Sequence, residues 1–251
     1  MALDAQSNWN VEMAKPPRIV PATAPDISPK MATLSLQSSN KTHSQEILLP
    51  AEVIIQIVSC IPQRASEQKT LWACCLVSRA WYSATIPLLY DRPYIAGGNF
   101  QNFVTTVCPS KNAHIRRSQL AGFVRTLDMG ELVHDGSKSL TARLLGRLKG
   151  NLTEFTAPQA SFSINSFAAL SKCTQLTFLN LSLMSASVST KLLFQTLQSL
   201  THLETFYFPR TSIQDHQLDK DGYIWPSSLK ALHFAGGTIP FLTWHHGMAN
   251  S

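Results

Sequence analysis

No apolar run in the chain approaches the roughly eighteen residues that a membrane-spanning helix requires. Residues Met1 to Asn10 have neither the basic start nor the apolar centre of a secretory signal. The expected setting is therefore the cytoplasm, the nucleus or both, with no membrane partner. Cysteine is scarce and unpaired in pattern. Cys60, Cys74, Cys75, Cys108 and Cys173 form an odd set without a CxxC pair, and adjacent Cys74 and Cys75 would diverge on a helix. Reduced, mostly buried thiols are expected, with no disulfide framework. No metal site is expected either, because His245 and His246 lie far off in a tail. Catalytic signatures are missing too: there are no paired carboxylates, phosphate-binding Gly-rich loop, GxSxG or HExxH. Gly97-Gly98 and Gly236-Gly237 are isolated turn signals, and His43, His114, His134, His202, His216 and His233 show no ligand spacing. The chain reads as non-enzymatic, with no catalytic residue and no cofactor.

What is present is apolar surface: 44% of 251 residues against 14% charged, enough for a sizeable core. The formal charge of +6 is uneven. Lys111, Arg116, Arg117, Arg125, Lys138, Arg143, Arg147 and Lys149 face only Asp128, Glu131 and Asp135 in one stretch. Arg143 and Arg147, four residues apart, fit a solvated helix face better than a nucleic-acid site, so nucleic acid is disfavoured as a partner.

Residues 1–44 place Pro16, Pro17, Pro21, Pro25 and Pro29 among Ala, Ser and Thr without periodicity. Such a segment cannot bury enough surface to offset its chain entropy, and a disordered tail is expected. The character changes at Ile47, where an apolar run is bounded by Pro50 and Pro62. Pro50 suits a helix start, Glu52 the positive end of the helix dipole, and Pro62 a stop. Ser66 is the expected cap of a second helix through Leu71, Trp72, Cys75 and Leu76, and a third runs over Ser78–Thr85 until Pro87 ends it. Three short helices over residues 45–92 make a very small core, so an exposed apolar patch awaiting a partner is expected.

After a linker at 93–122, residues 123–237 repeat. The pattern Leu-x-x-Leu-x-Leu, with any apolar residue allowed, recurs from Val124, Leu152, Leu176, Leu203 and Leu229, at steps of 28, 24, 27 and 26 residues. These fall within the period of about 20 to 29 residues of leucine-rich repeats. Helical patterns lie between: Leu140, Leu144, Leu145 and Leu148, then Phe162, Phe167 and Leu170, then Leu192, Leu193, Leu197 and Leu200. Each strand-helix unit could bury its apolar face only by stacking on its neighbours. The polar residue that usually closes the motif is replaced by Leu132, Ala160, Met184, Thr211 and Gly237. The expected fold is α/β (α+β): a short three-helix unit, then a solenoid of about five strand-helix units. Residues 238–251 are expected to be an irregular tail, leaving the last strand an open edge.

The segment Leu49-Pro50-Ala51-Glu52-Val53, Ile57, Leu76-Val77-Ser78-Arg79-Ala80-Trp81 and Leu89-Tyr90-Asp91-Arg92 resembles the F-box, and the coupled repeats resemble F-box proteins of the leucine-rich-repeat type, with Pro93-Tyr94-Ile95 similar to fungal members. The resemblance implies a substrate-recognition subunit of an SCF-type cullin-RING ubiquitin ligase. Its F-box would bind a Skp-type adaptor and, through it, cullin and RING subunits; its repeats would bind a protein substrate. Carried over by position, Leu49, Pro50, Val53, Ile57, Leu76, Val77 and Trp81 are divided between the adaptor interface and the helical core. The alternative is a repeat scaffold without ligase association, in which the first helices only cap the array.

Strand geometry assigns the target surface. In Leu-x-x-Leu-x-Leu the apolar positions point inward and the intervening residues face out. One outward column holds Thr126, Glu154, Phe178, Thr205 and Ala231, and the other Asp128, Thr156, Asn180, Tyr207 and His233. Phe178, Asn180, Tyr207 and His233 are the candidate substrate contacts, although Phe178 and Tyr207 could equally stack on each other across neighbouring strands.

Overall fold

The computed structural model describes residues 49–96, 99–109, 118–132, 138–160, 162–184, 189–210, 224–234 and 237–240. The Pro-rich segment 1–44, Lys111, Arg116, Arg117, His245 and His246 lie outside the described residues.

Helix α1 (Ala51–Ser59) follows Pro50, whose carbonyl accepts from the amides of Val53 and Ile54 at 3.1 and 3.2 Å. It buries Ile54 and Val58, four residues apart, on the side that packs against α3 (Arg79–Asp91). Helix α2 (Gln68–Val77) packs on α3 as well, around the small cluster Leu71, Cys75 and Leu89. Two expectations need correction here. Ser66 does not cap α2: it lies inside a 3₁₀ turn, Ala65–Glu67, and its hydroxyl donates to Glu67 Oε1 at 3.3 Å. Pro87 does not end the third helix, which continues to Asp91. A helix-interior proline costs about 3 kcal/mol, and here the apolar turn beyond it, with Leu89 buried and Tyr90 packed, supplies compensating burial. Ser78 caps α3, its Oγ accepting from the Trp81 amide at 3.4 Å.

A helix absent from the sequence expectation, α4 (Asn99–Val107), occupies the linker and buries Phe100, Phe103, Val104 and Val107 in the main core. Beyond it stand β1 (Thr126–Asp128), α5 (Lys138–Leu148), β2 (Glu154–Thr156), α6 (Ile164–Leu170), β3 (Phe178–Asn180), α7 (Thr190–Gln198), β4 (Thr205–Tyr207), β5 (Ala231–Phe234) and β6 (Gly237–Pro240). Strands β1 to β5 are parallel and lie side by side in chain order, whereas β6 pairs antiparallel with β5. Residues 238–240 are thus strand rather than irregular tail. The outer edge of β5, expected to be open, is covered.

The register aligns the apolar strand positions. Leu127, Phe155, Leu179, Phe206 and Leu232 form one inward row, each at most 1% exposed. Helices α4 to α7 contribute Val104, Leu144, Leu145, Leu148, Phe167, Leu170, Leu193 and Leu197 to the same core. This is a mixed helix and strand architecture, three packed helices leading into a sheet of five parallel strands and one antiparallel strand.

The first helices and the sheet are continuous. Tyr90 packs on both hydrophobic clusters. A carbonyl row precedes the strands: Asp91 O accepts from Arg125 N, Arg125 O from Thr153 N, Thr153 O from Thr177 N, Thr177 O from Glu204 N and Glu204 O from Lys230 N, all at 2.8 to 3.0 Å. The end of α3 therefore fills the place a preceding strand would take beside β1.

Candidate protein-interaction surfaces

Two surfaces carry the sequence-assigned residues. Among the described residues no three His, Cys, Asp or Glu side chains gather as metal ligands. The buried thiols are poor nucleophiles: burial, with a smaller part from neighbouring Cys74, pushes Cys75 up to about 11, and burial pushes Cys173 up to about 12.

The first surface lies on α1 and α2. Leu49, Val53 and Ile57 recur every four residues, a stripe along the start of α1 that flanks the one carrying buried Ile54 and Val58. They are 43%, 37% and 43% exposed, and Pro50 beside them is exposed too. At the end of α2, Leu76 and Val77 stand at 50% and 63%. Trp81 alone among the seven is half-buried. Ile55, at 50% exposed, was not assigned from the sequence; as one apolar residue in an apolar run, it could be separated from its neighbours only by the helix phase. More than half of the exposed large apolar side chains among the described residues lie between Leu49 and Val77. Soluble surfaces seldom leave such a concentration unburied without a binding role.

The second surface is the outer face of the sheet. Both outward columns align strand to strand. The rings of Phe178 and Tyr207 are 5.5 Å apart, and those of Tyr207 and His233 stack at 4.0 Å with an interplanar angle of 2°. Phe178, Tyr207 and His233 are each half-buried, so the column is self-stacked and still open to solvent. Asn180, half-buried on the same face, also closes a turn. Its Oδ1 accepts from the Ser182 amide at 3.0 Å and the Ser182 hydroxyl at 2.7 Å, which closes the turn after β3. Asp128 closes the turn after β1 in the same way, accepting from Gly130 N at 2.9 Å. A side chain at Gly130 would meet Leu183 at 2.9 Å, so glycine lets these two turns approach.

The β1 end of this face is polar. Arg92 reaches Glu154 at 3.1 Å, and Thr126 Oγ1 donates to Glu154 at 3.2 Å. Tyr94 donates to Glu131 at 3.1 Å, and that bond to a carboxylate, with lesser parts from burial and the carboxylate charge, holds its phenol above the ordinary value.

The residues of the first surface fall within a segment that matches a known family. The F-box-like family matches residues 47–96. The chain is similar to F-box protein YDR306C of Saccharomyces cerevisiae, with 37% identity over 162 residues, covering 64% of this chain and 32% of that protein. It is also similar to Protein pof5 of Schizosaccharomyces pombe, with 29% identity over 171 residues, covering 68% of this chain and 46% of that protein. The chain thus carries an F-box-like domain and is homologous to fungal F-box proteins. It spans about a third to a half of the length of these relatives.

Proposed function

We propose that the chain is a non-catalytic substrate-recognition subunit of an SCF-type ubiquitin ligase, the role F-box proteins generally have. In this reading residues 45–92 bind a Skp-type adaptor, which brings cullin and RING subunits, and residues 123–237 are a leucine-rich-repeat array whose outer face takes the target protein. Cytoplasm or nucleus is the proposed setting. The observation that carries the reading is the exposed apolar set Leu49, Pro50, Val53, Ile57, Leu76 and Val77 inside an F-box-like match. The repeat reading is supported by the constant strand register and the helices between strands.

The test is adaptor co-purification with Leu49→Ala and Pro50→Ala combined. Burying a leucine-sized side chain contributes about 1.5 to 3 kcal/mol, so the pair should weaken binding roughly a hundredfold while circular dichroism stays unchanged. Undiminished capture would refute the assignment. A second reading, a repeat scaffold without a ligase, is favoured by one observation: the Asp91 carbonyl extends the row that precedes the strands, as a cap would. A chain that never captures the adaptor, yet keeps its sheet only when 49–91 is present, would favour the scaffold.

A further inference from the structure

We infer that the outer face of the sheet recognises an unmodified, extended polypeptide segment bearing a Lys or Arg about four residues from an aromatic or bulky apolar side chain. The inference rests on the proposed target-binding role of this face and names the class of target.

The charge on this face runs against that of the whole chain. The chain carries +6, yet the β1–β2 end of the face presents Asp128 and Glu154, and exposed Glu131 stands in the turn that follows β1. Glu154 is already met by Arg92 at 3.1 Å. Asp128 and Glu131 are both exposed, and the hydrogen bonds they accept come from neutral donors, the Gly130 amide and the Tyr94 hydroxyl. Neutral donors orient a carboxylate and leave its charge in place. Among the described residues no cation lies within ion-pair distance of either one. Toward β3–β5 the outward positions Phe178, Asn180, Thr205, Tyr207, Ala231 and His233 include no Asp, Glu, Lys or Arg, and three of them form the aromatic column. The complementary partner is cationic at one end and apolar at the other.

Strand spacing sets the distance between the two features. Neighbouring strands lie about 4.8 Å apart, so β1 to β4 is about 14 Å, which an extended segment crosses in about four residues at roughly 3.3 Å each. A phosphate carries up to about two negative charges and would be brought against Asp128 and Glu131, so phosphorylation within the segment weakens binding. Nucleic acid is repelled for the same reason.

The test uses the full chain and a positional-scanning library of twelve-residue peptides with one fixed Trp, the other positions drawn from all residues and phosphoserine. Lys and Arg should be enriched roughly tenfold three to five positions from the Trp, with Asp, Glu and phosphoserine depleted. Asp128→Asn with Glu131→Gln keeps the acceptors for Gly130 and Tyr94, and should erase the cation preference while retaining the Trp preference. Phe178→Leu with Tyr207→Leu should do the reverse, with unchanged unfolding midpoints as the folding control. Enrichment of acidic residues or phosphoserine, or a cation preference that survives the Asn/Gln variant, overturns the inference while the face remains the binding surface. Preferences untouched by either pair of changes, or no enrichment at all, refute the face as the binding surface, and the inference with it.

Discussion

At the scale of single residues, burial decides what each cysteine can do. A thiol at about 11 holds roughly a hundredfold less thiolate near neutral pH than one at the ordinary 9.0, and Cys173, at about 12, roughly a thousandfold less. Burial also raises Cys108, against the opposing pull of Arg143 and Arg147. Iodoacetamide at pH 8 should therefore label exposed Cys60 first and leave Cys75, Cys108 and Cys173 until the chain unfolds, as peptide mass spectrometry would report. The same shifts have a stability consequence. A raised folded-state value favours the neutral thiol, so the contribution is fully present below pH 9 and is lost as pH climbs toward 11 and 12. The urea midpoint should fall between pH 8 and pH 10, and fall less steeply in a Cys75→Ala, Cys173→Ala variant. A reduced, mostly buried set of thiols was legible from the odd count without CxxC spacing. The open Cys60 was not, because its exposure depends on α1 ending at Ser59.

At the scale of elements, the strands were legible and several helix boundaries were not. The alternation of Leu127, Phe155, Leu179, Phe206 and Leu232 with outward residues was visible because period-2 burial leaves a direct trace in sequence. Helix α4 left a trace too, Phe100, Phe103, Val104 and Val107 at helical spacing, but it stood where a linker was expected. The continuation of α3 through Pro87 could not be read locally. Tertiary burial of Leu89 and Tyr90 outweighs the local penalty, and nothing in the neighbouring sequence announces it. The two candidate caps allow a direct comparison. Ser78→Ala should lower stability by about 1 kcal/mol because it removes the acceptor for the Trp81 amide. Ser66→Ala removes only an exposed bond to Glu67 and should cost less than about 0.5 kcal/mol. Equal shifts of the two urea midpoints would show that the Ser78 cap contributes nothing beyond the loss of a surface hydroxyl.

At the scale of the whole molecule, the candidate adaptor surface and the candidate target surface belong to one packed body. The three-helix cluster alone is small, with Leu71, Cys75 and Leu89 at its centre, and a unit of that size holds together poorly unaided. Several links attach it to the sheet: Tyr90 packs on both cores, Asp91 O takes the Arg125 amide, and Arg92 crosses to Glu154. The ion pairs are exposed and each contributes at most about 1 kcal/mol. The coupling therefore rests on the shared packing and the backbone bond. Helices and sheet should then unfold in one transition, with any target on the sheet held in a fixed orientation relative to α1. Tryptophans report on each part: Trp72 and Trp81 sit in the helices, and Trp225 packs edge-on against Phe194 beneath the sheet at 4.8 Å. With Trp9 and Trp244 changed to Phe, one variant would retain only Trp72 and Trp81 and another only Trp225. Their fluorescence transitions in urea should coincide within error and match the loss of far-ultraviolet circular dichroism. Two separated midpoints, the helical pair melting first, would show that the Tyr90 and Asp91 connection does not couple the parts. The F-box-like helices would then swing independently of the sheet.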